Sequence, residues 1–215
     1  MDTYRHKGLR KKLVELLQEK GITDEAVLDA INSIPRHLFL DNAFVNFAYQ
    51  DKAFPISAGQ TISQPFTVAF QTQLLELKRG DKVLEIGTGS AYQTCVLVEM
   101  KAKVFSIERQ KVLYQKAKVM LEKMNYKAKL FFGDGYLGQP AFAPFDKIII
   151  TAGAPFIPED LKKQLKIGGI MVIPVGEGDS QIMKRLIKRS ETEFDVEEYG
   201  DFKFVPLLQN KSFTQ

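Results

Sequence analysis

Apolar residues follow two different spacings along the chain, and the two alternate through its central part. Short segments of consecutive apolar residues are typical of strands buried on both faces of a parallel sheet. Intervening segments with an apolar residue at every third or fourth position predict helices. The predicted strands are 83–86, 103–107, 128–132, 146–150 and 170–175, the predicted helices between them are 92–100, 110–124 and 159–165, and a turn is predicted at 166–169. This alternation predicts a parallel sheet with right-handed crossovers.

Both ends of the chain depart from this pattern. Before the first strand, helical spacing predicts helices at 4–20, 25–33 and 66–77. After the last one, 181–189 and 193–205 read as strands with no helix between them, so they should pair as an antiparallel hairpin at the sheet edge. We therefore expect an α/β fold with a doubly wound, mostly parallel Rossmann-like sheet, an antiparallel C-terminal hairpin and N-terminal helices.

The length of 215 residues and the hydrophobic content of 45% predict a single domain with a substantial core. We divide it into a helical and loop N-terminal part that covers the site (1–65), a βαβ core (66–175), and C-terminal strands with a tail (176–215). No apolar run approaches the roughly 18 residues of a membrane span, and the N-terminus lacks the apolar segment of a signal peptide. The single cysteine, Cys95, cannot form an internal disulfide. These features predict a cytoplasmic protein without a membrane partner.

Charge and metal-ligating residues narrow the choice of partners. The formal net charge is only +4 and the lysines are scattered, so the basic residues near the N-terminus are interpreted as a solvated helix face rather than a nucleic-acid footprint. The two histidines and the cysteine are far apart, so no metal site is expected.

The strongest candidate for a ligand site is the turn after the strand 83–86. Gly87 and Gly89 allow positive φ and let a ligand approach the bare backbone. Glu108 ends the next strand roughly 20 residues later, where this architecture holds a ribose diol. A dinucleotide fingerprint has a third glycine where this chain has Tyr92, which argues against NAD or FAD. A nucleoside without phosphates, such as S-adenosylmethionine, needs only the turn and the acidic residue, although the glycines alone also fit an ordinary strand–helix turn.

Other candidate groups follow neighbouring strands, whose carboxyl ends should meet at one edge. Asp134 could accept a hydrogen bond from an adenine amino group and Gly135 could make room for the ring, while a structural turn is the alternative. The loop 151–155 should approach the same place. Ser63 or Gln64 should lie near the N-cap of the third helix, so the Ser63 hydroxyl is interpreted locally as a capping group. The aromatic-rich segment 36–57 either packs on the core or covers a site.

A series of motifs stands in the order found in one enzyme family. They are Ile-Pro-Arg-His-Leu-Phe (34–39), Ala-Tyr-Gln-Asp (48–51), Pro-Ile-Ser-Ala-Gly-Gln-Thr-Ile-Ser-Gln-Pro (55–65), Val-Leu-Glu-Ile-Gly-Thr-Gly-Ser-Ala-Tyr-Gln-Thr (83–94), Ile-Glu-Arg (107–109), Gly-Asp-Gly (133–135), Ile-Thr-Ala-Gly-Ala-Pro (150–155), Leu-Lys-Ile-Gly-Gly (165–169) and Phe-Val-Pro-Leu (204–207). By these motifs the chain resembles the protein-L-isoaspartate O-methyltransferases over nearly its whole length. Many methyltransferases share the glycine motif and Glu108, whereas Gly-Gln-Thr-Ile-Ser-Gln-Pro is specific to this family.

The resemblance implies a protein-L-isoaspartate(D-aspartate) O-methyltransferase, an enzyme with one S-adenosylmethionine-dependent methyltransferase domain. The methyl donor would be S-adenosyl-L-methionine, the product S-adenosyl-L-homocysteine, and no metal would be needed. The acceptor would be the free carboxylate of an L-isoaspartyl residue in a damaged protein. The methyl ester would collapse to a succinimide that reopens partly to normal aspartate, which is a repair reaction.

The resemblance also assigns site residues by motif position. The cofactor-binding set would be Gln60, Thr61, Ile62, Ser63, Glu85, Gly87, Gly89, Ser90, Glu108, Asp134 and Gly135. Among them the Gly87–Ser90 turn would hold the methionine portion, Glu108 the ribose hydroxyls, and Asp134 with Gly135 the adenine. Ser63 would be the catalytic residue, and the substrate peptide would meet Thr61, Ser63, Val205 and Pro206.

Three residues depart from the family pattern. Ala91 stands where the glycine turn usually has another glycine, and its small side chain should be harmless. Phe66 replaces a tyrosine or histidine, and Leu208 replaces a threonine or glycine. The last two bear on the acceptor pocket and not on the donor site.

The implied chemistry needs few protein groups. A carboxylate with a reference pKa near 4 is already an anion at neutral pH, so no general base is required. We therefore expect Ser63 to orient the acceptor through its hydroxyl.

Two other functions compete with this one. Nucleic-acid amino-methyltransferases carry an Asn/Asp-Pro-Pro-Tyr motif after the fourth strand, where this chain reads Thr-Ala-Gly-Ala (151–154). A catalytically silent nucleoside-binding module is the third possibility, and the presence of Ser63, Glu108 and Asp134 argues against it.

Overall fold

The fold is described by a computed structural model that covers residues 2–213. Its helices are α1 (Tyr4–Glu19), α2 (Glu25–Ser33), α3 (Pro65–Leu74), α4 (Tyr92–Glu99), α5 (Lys111–Lys123) and α6 (Glu159–Gln164). Its strands are β1 (Phe54–Pro55), β2 (Thr61–Ile62), β3 (Lys82–Ile86), β4 (Lys103–Glu108), β5 (Lys129–Phe132), β6 (Phe145–Ile150), β7 (Leu165–Val175), β8 (Gln181–Lys188) and β9 (Phe194–Phe202).

Seven strands form one sheet in the order β5-β4-β3-β6-β7-β8-β9, and β1 pairs with β2 separately. The pairs from β5 to β7 are parallel. The pairs β7–β8 and β8–β9 are antiparallel, because no helix separates these strands in the chain. The predicted doubly wound sheet with an antiparallel C-terminal hairpin is confirmed.

Apolar layers cover both faces of the parallel strands, which explains their continuous apolar sequences. Successive side chains of β3 point to opposite faces. Val83 therefore packs with residues of α3 and α4, whereas Leu84 and Ile86 pack with residues of α6 and β7. A third layer joins α1 and α2 to α3 and α4. Within residues 2–213, no helix is both long and apolar enough to cross a membrane.

The aromatic-rich segment packs on this third layer. Residues Arg36–Phe39 and Asn42–Phe47 form 3₁₀ turns. The side chains of Phe39, Tyr49 and Phe54 are buried in the layer. The packing alternative of the sequence prediction therefore describes most of this segment.

Several predicted boundaries differ from the structure; the strand expected at 193–205, for example, ends at Phe202. Two of the differences have a clear physical reason. The helix expected at 66–77 ends at Leu74, and Glu76 beyond it has φ +49°, outside helical geometry. The turn expected at 166–169 is instead part of β7, where Leu165 already pairs with Phe145 before the register shifts. A bulge of this kind is a local irregularity within a strand. The glycines in this segment are the reason that the sequence pattern predicted a turn there.

Candidate active site

A cleft lies at the carboxyl ends of β3, β4 and β6, where the doubly wound architecture places its ligands. Most of the residues singled out in the sequence line it together: Gln60, Thr61, Ile62, Ser63, Gly87, Gly89, Ser90, Glu108, Gly135, Val205 and Pro206. Glu85 and Asp134 are not among the residues that line it. The cleft thus joins the loop before α3, the glycine turn after β3 and the tail after β9.

The glycine turn forms the floor of the cleft and has no room for a side chain at Gly87. Gly87 has φ +97°, and a Cβ there would lie 2.5 Å from Oγ1 of Thr151. That Oγ1 donates to the carbonyl oxygens of Ile86, at 3.0 Å, and Gly87, at 2.7 Å. The contact fixes the end of β3 against the end of β6 and leaves the turn backbone bare.

Ala91 closes the turn in a conformation that usually belongs to glycine. It is the N-cap residue of α4 with φ +68°, and its side chain is fully buried. A non-glycine residue in the left-handed region costs roughly 1–2 kcal/mol. The departure at Ala91 is therefore small in volume but strained in the backbone.

Glu108 is buried at the end of β4 and is held by the turn. Its Oε2 accepts from the N–H of Gly89 at 2.9 Å, and its Oε1 accepts from the N–H of Gln110 at 2.7 Å. Burial raises the pKa of this carboxyl, and the two N–H groups act in the opposite direction. Each carboxylate oxygen has a further lone pair, so the group can still accept hydrogen bonds from a diol.

The structure corrects the position expected for Glu85. This side chain is fully buried beside α4, where its Oε2 accepts from Oγ1 of Thr94 at 2.6 Å. Burial raises the pKa of Glu85 to about 7, and the negative charge of Glu108 adds to the effect. Alternation along β3 explains the difference, because side chains of neighbouring strand residues point to opposite faces.

Asp134 caps a turn, and Gly135 beside it lines the cleft. The Asp134 Oδ1 accepts from the N–H of Tyr136 at 2.9 Å, and its Oδ2 accepts from the N–H of Asn210 at 2.6 Å. The structural-turn alternative therefore describes the contacts of Asp134, and adenine recognition stays a prediction. At Gly135 a Cβ would lie 2.4 Å from Cγ2 of Ile86, so the backbone can approach the cleft only without a side chain.

Ser63 is not the cap of α3, so the local interpretation of its hydroxyl is wrong. Gln64 is the N-cap residue, and its side chain forms no capping hydrogen bond. Instead, the N–H of Phe66 in the first turn of the helix donates to Oδ1 of Asp51 at 2.8 Å. The carbonyl oxygen of Ser63 accepts from Nη2 of Arg36 at 2.7 Å. A distant carboxylate thus performs the capping, and the Ser63 hydroxyl is left for the cleft.

Several residues that line the cleft were not predicted: Thr88, Tyr92, Gln93, Gln110 and Leu207. The side-chain amide oxygens of Gln93 and Gln110 are buried and have no hydrogen-bond partner within residues 2–213. Buried polar atoms of this kind mark a place where a ligand is expected. Gln110 directly follows the motif that contains Glu108, and this neighbourhood could have predicted its place in the cleft. Tyr92 was used only as evidence against a dinucleotide site, because it stands where that fingerprint has a third glycine.

The tail reaches the cleft through contacts between residues far apart in sequence. The N–H of Gly153 donates to the carbonyl of Val205 at 2.8 Å, and the N–H of Leu207 donates to the carbonyl of Gly153 at 2.7 Å. The hydroxyl of Tyr136 donates to the carbonyl of Leu207 at 3.2 Å. Apart from the Phe-Val-Pro-Leu motif, the sequence contains no signal for this position.

A second cavity of about 460 Å³ adjoins the cleft. Thr61, Ser63, Thr151 and Val205 line both spaces. The far wall of the second cavity is aromatic and is formed by Phe66, Phe70, Phe202 and Phe204. The Phe66 departure therefore lies in the second cavity, whereas Leu208 lines the cleft.

The two histidines are close in space, which corrects the expectation from their separation in sequence. The rings of His6 and His37 stack at 3.8 Å, and Asp2 lies beside them. The Asp2 carboxylate forms an ion pair with the guanidinium of Arg10 at 3.1 Å. That positive charge opposes binding of a metal cation at this cluster.

The chain is similar to one family of known proteins along most of its length. The family model described as Protein-L-isoaspartate(D-aspartate) O-methyltransferase (PCMT) matches residues 8–212. The protein-L-isoaspartate O-methyltransferase of Flavobacterium psychrophilum is 62% identical over 98% of this chain and 99% of that relative. The protein of the same name from Dictyoglomus thermophilum is 48% identical over 96% of this chain and 94% of that relative.

Solved structures give the same result. A protein-L-isoaspartate O-methyltransferase structure with 28% identity and a TM-score of 0.85 covers 94% of this chain and 66% of that longer chain. A protein-L-isoaspartate O-methyltransferase from Plasmodium falciparum, solved in complex with S-adenosyl-L-homocysteine, has 26% identity and a TM-score of 0.82. It covers 94% of this chain and 99% of that chain.

The glycine floor generates a prediction about stability. We expect Gly87→Ala to lower the free energy of unfolding by about 1–3 kcal/mol more than Gly80→Ala does. Both glycines have positive φ, but a Cβ at Gly80 meets open space whereas one at Gly87 meets Thr151. Urea unfolding of both variants measures the difference. Equal losses would show that Thr151 moves aside without losing its hydrogen bonds.

The buried carboxyl of Glu85 generates a prediction about pH. An unfolded glutamate ionises near pH 4.3, whereas the pKa in the folded protein is about 7. The folded state holds the extra proton between these values, so stability falls as the pH rises from about 4.5 to 7 and then levels off. Relative to Glu85→Gln, wild-type stability should fall by about 3 kcal/mol between pH 4.5 and 8.

Urea unfolding at several pH values measures this change. Glu122→Gln, at an exposed position on α5, controls for loss of a negative charge. A constant difference between wild type and Glu85→Gln across this range would contradict the prediction.

Proposed function

The chain belongs to the protein-L-isoaspartate(D-aspartate) O-methyltransferase family, and we propose how its cleft performs this family's reaction. The enzyme transfers a methyl group from S-adenosyl-L-methionine to the free carboxylate of L-isoaspartyl residues in damaged proteins. The products are S-adenosyl-L-homocysteine and a methyl ester, which starts repair through a succinimide. The observation that carries our assignment of roles is the position of Ser63, which lines both the cleft and the adjoining cavity.

The residues of the cleft fit the donor. The bare backbone at Gly87 and Gly89 with the Ser90 side chain accommodates the methionine portion, and the buried Glu108 accepts from the ribose hydroxyls. Gly135 leaves room for the adenine next to Asp134, and the unpaired amide oxygens of Gln93 and Gln110 are further acceptors. When bound, S-adenosyl-L-methionine supplies a methyl group on a positively charged sulfur, which is already electrophilic.

The acceptor lies in the second cavity, with its carboxylate directed at Ser63. That carboxylate is ionised at neutral pH and needs no general base. The Ser63 hydroxyl donates a hydrogen bond to one carboxylate oxygen and thereby aims the other at the donor methyl group. Orientation of this kind can supply roughly 7–11 kcal/mol of the barrier reduction. Thr61 and Val205 line both this cavity and the cleft, Pro206 lines the cleft, and the three residues hold the peptide.

The three parts of the chain act as one catalytic domain in this proposal. Residues 1–65 contribute the Ser63 loop, 66–175 the donor site, and 176–215 the tail at Val205 and Pro206. The partners are proteins that carry isoaspartyl residues, and neither nucleic acid nor a membrane is among them. In support, Thr151 stands at the end of β6, where amino-methylating enzymes of nucleic acids carry a proline-rich motif. Its hydroxyl donates instead to the backbone of β3 and its turn. We place the enzyme in the cytoplasm, where its single thiol stays reduced.

Methyl transfer to paired peptides tests the reaction itself. With labelled S-adenosyl-L-methionine, a peptide that contains isoaspartate should gain a base-labile methyl ester, and the same peptide with aspartate should not. Binding of S-adenosyl-L-homocysteine without transfer to either peptide would support the silent-module alternative. Transfer to both peptides would contradict the acceptor assignment.

Two serine variants separate orientation of the acceptor from binding of the donor. Ser63→Ala should lower kcat roughly 10²-fold and leave affinity for S-adenosyl-L-homocysteine unchanged, because misplacement of a reacting group by about 1 Å has an effect of this size. Ser90 lies in the donor cleft, where its hydroxyl accepts from the N–H of Tyr92. Ser90→Ala should weaken the affinity for S-adenosyl-L-homocysteine and leave kcat at saturation nearly unchanged. Steady-state kinetics and calorimetry measure both quantities. Equal effects of Ser63→Ala on both quantities would assign Ser63 a structural role.

The aromatic wall predicts a preference for the acceptor's neighbouring residue. Phe66 stacks on Phe70 at 5.6 Å and faces Phe202 at 6.4 Å. Phe66→Ala should raise KM about 5- to 10-fold for peptides with phenylalanine beside the isoaspartate, and much less for those with serine, since an aromatic pair contributes about 1 kcal/mol. Phe213→Ala, an exposed ring that packs on Phe132, is the control. The same KM change for both peptides would refute the preference.

A further inference from the structure

Two sequence motifs have no role in the reaction described so far. They are Ile-Pro-Arg-His-Leu-Phe (34–39) and Ala-Tyr-Gln-Asp (48–51). In the structure, one charged residue from each motif reaches the loop that carries Ser63. These residues are Arg36 and Asp51.

Arg36 is a fully buried guanidinium that bonds to backbone carbonyls instead of a carboxylate. Its Nε donates to the carbonyl of Ala48 at 3.1 Å, and its Nη2 donates to the carbonyl of Ser63 at 2.7 Å. Within residues 2–213 it forms no ion pair. Burial of an unpaired charge is expensive. An apolar side chain would fill the same space at lower cost, so the contacts of Arg36 need an explanation beyond packing.

The same guanidinium lies over the ring of Tyr92, in the wall of the donor cleft. The Arg36 Cζ lies 4.8 Å from the centre of the Tyr92 ring. Tyr92 lines the cleft, and its ring meets Phe39 edge-on at 5.4 Å. One rigid group therefore touches both the donor wall and the backbone of Ser63.

Asp51 holds the other side of the same loop. Its carboxylate is 5% exposed. Oδ1 accepts from the N–H of Phe66 at 2.8 Å, and Oδ2 accepts from Nε2 of Gln64 at 2.9 Å and from Nζ of Lys20 at 2.6 Å. The residues that follow Ser63 are thus fixed by Asp51, as Ser63 itself is fixed by Arg36.

We propose that Arg36 and Asp51 are positioning residues that set the distance and angle of the Ser63 hydroxyl relative to the donor cleft. The proposal rests on the function assigned to Ser63 above. Methyl transfer from a sulfonium to a carboxylate removes both charges. A positive charge beside the carboxylate therefore stabilises the reactants more than the transition state. The contribution of Arg36 is therefore its planar, multidentate geometry and not its charge. A lysine has the charge but not the geometry.

The first test compares two conservative changes of buried arginines. Arg36→Lys should lower kcat roughly 10- to 100-fold, since a displacement of about 1 Å from productive geometry has an effect of this size. The peptide KM and the affinity for S-adenosyl-L-homocysteine should change less than threefold. Arg10→Lys is the matched control, because Arg10 is also buried but bonds to Asp2, Asn32 and Tyr49, away from the loop. It should lower stability and leave kcat unchanged.

A second variant keeps the proposal testable if Arg36→Lys does not fold. Asp51→Asn keeps an oxygen that can accept from the N–H of Phe66 and removes the acceptor for Gln64 and Lys20. We expect a loss in kcat of about 5- to 20-fold with unchanged cofactor affinity. A kcat within threefold of wild type in folded Arg36→Lys or Asp51→Asn, or an equal loss in Arg10→Lys, would overturn the proposal.

Hydrogen exchange tests the same proposal without catalysis. Amides of segment 60–66 should exchange at least tenfold faster in Arg36→Lys and Asp51→Asn than in wild type, while β3 and β6 stay protected. Arg10→Lys should leave 60–66 as in wild type. If no isoaspartyl peptide is methylated by wild type, the proposed function fails, and this exchange pattern still decides whether the two residues hold the loop. Unchanged exchange at 60–66 would refute that role.

Discussion

The contact between Thr151 and the glycine turn is the constraint on which the rest of the site depends. Oγ1 of Thr151 lies on the carbonyls of Ile86 and Gly87, and this approach is possible only because residue 87 has no side chain. The contact brings the ends of β3 and β6 together and directs the turn N–H of Gly89 at Glu108. The shape of the donor cleft, the hydrogen bond to Glu108 and the position of the tail that bonds to Gly153 all depend on this junction.

Elements set by short-range patterns could be predicted from the sequence, and contacts between distant segments could not. Apolar spacing located the strands of the parallel sheet, and glycine spacing located the turn at its centre. The side chain that caps α3 belongs to Asp51, which precedes Phe66 by a whole loop. Local rules therefore placed Ser63 or Gln64 near the N-cap and assigned the capping hydrogen bond to the Ser63 hydroxyl instead. The family motifs predicted a set of site residues, and most of them lie together at one cleft, whereas Glu85 and Asp134 do not line it.

Buried charged groups occur at the loop and at the turn, and others such as Lys147 and Lys188 lie elsewhere in the sheet. Arg36, Glu85 and Glu108 are all nearly inaccessible to water. Interior charges lower stability unless they are fully satisfied, and proteins keep such groups where geometry matters more than stability. Arg36 on the backbone of Ser63 and Glu108 on the glycine turn are therefore places where accurate geometry has been favoured over a simpler apolar interior.

The outer strand of the sheet has a consequence for an enzyme that handles damaged chains. β9 is the last strand in the sheet order, and its sequence places acidic residues at Asp195, Glu197, Glu198 and Asp201. Damaged proteins expose extended segments, which readily add to an unprotected sheet edge. Charged side chains along an edge discourage such pairing. The acidic side chains of β9 therefore disfavour the addition of an extended client segment to this edge of the sheet.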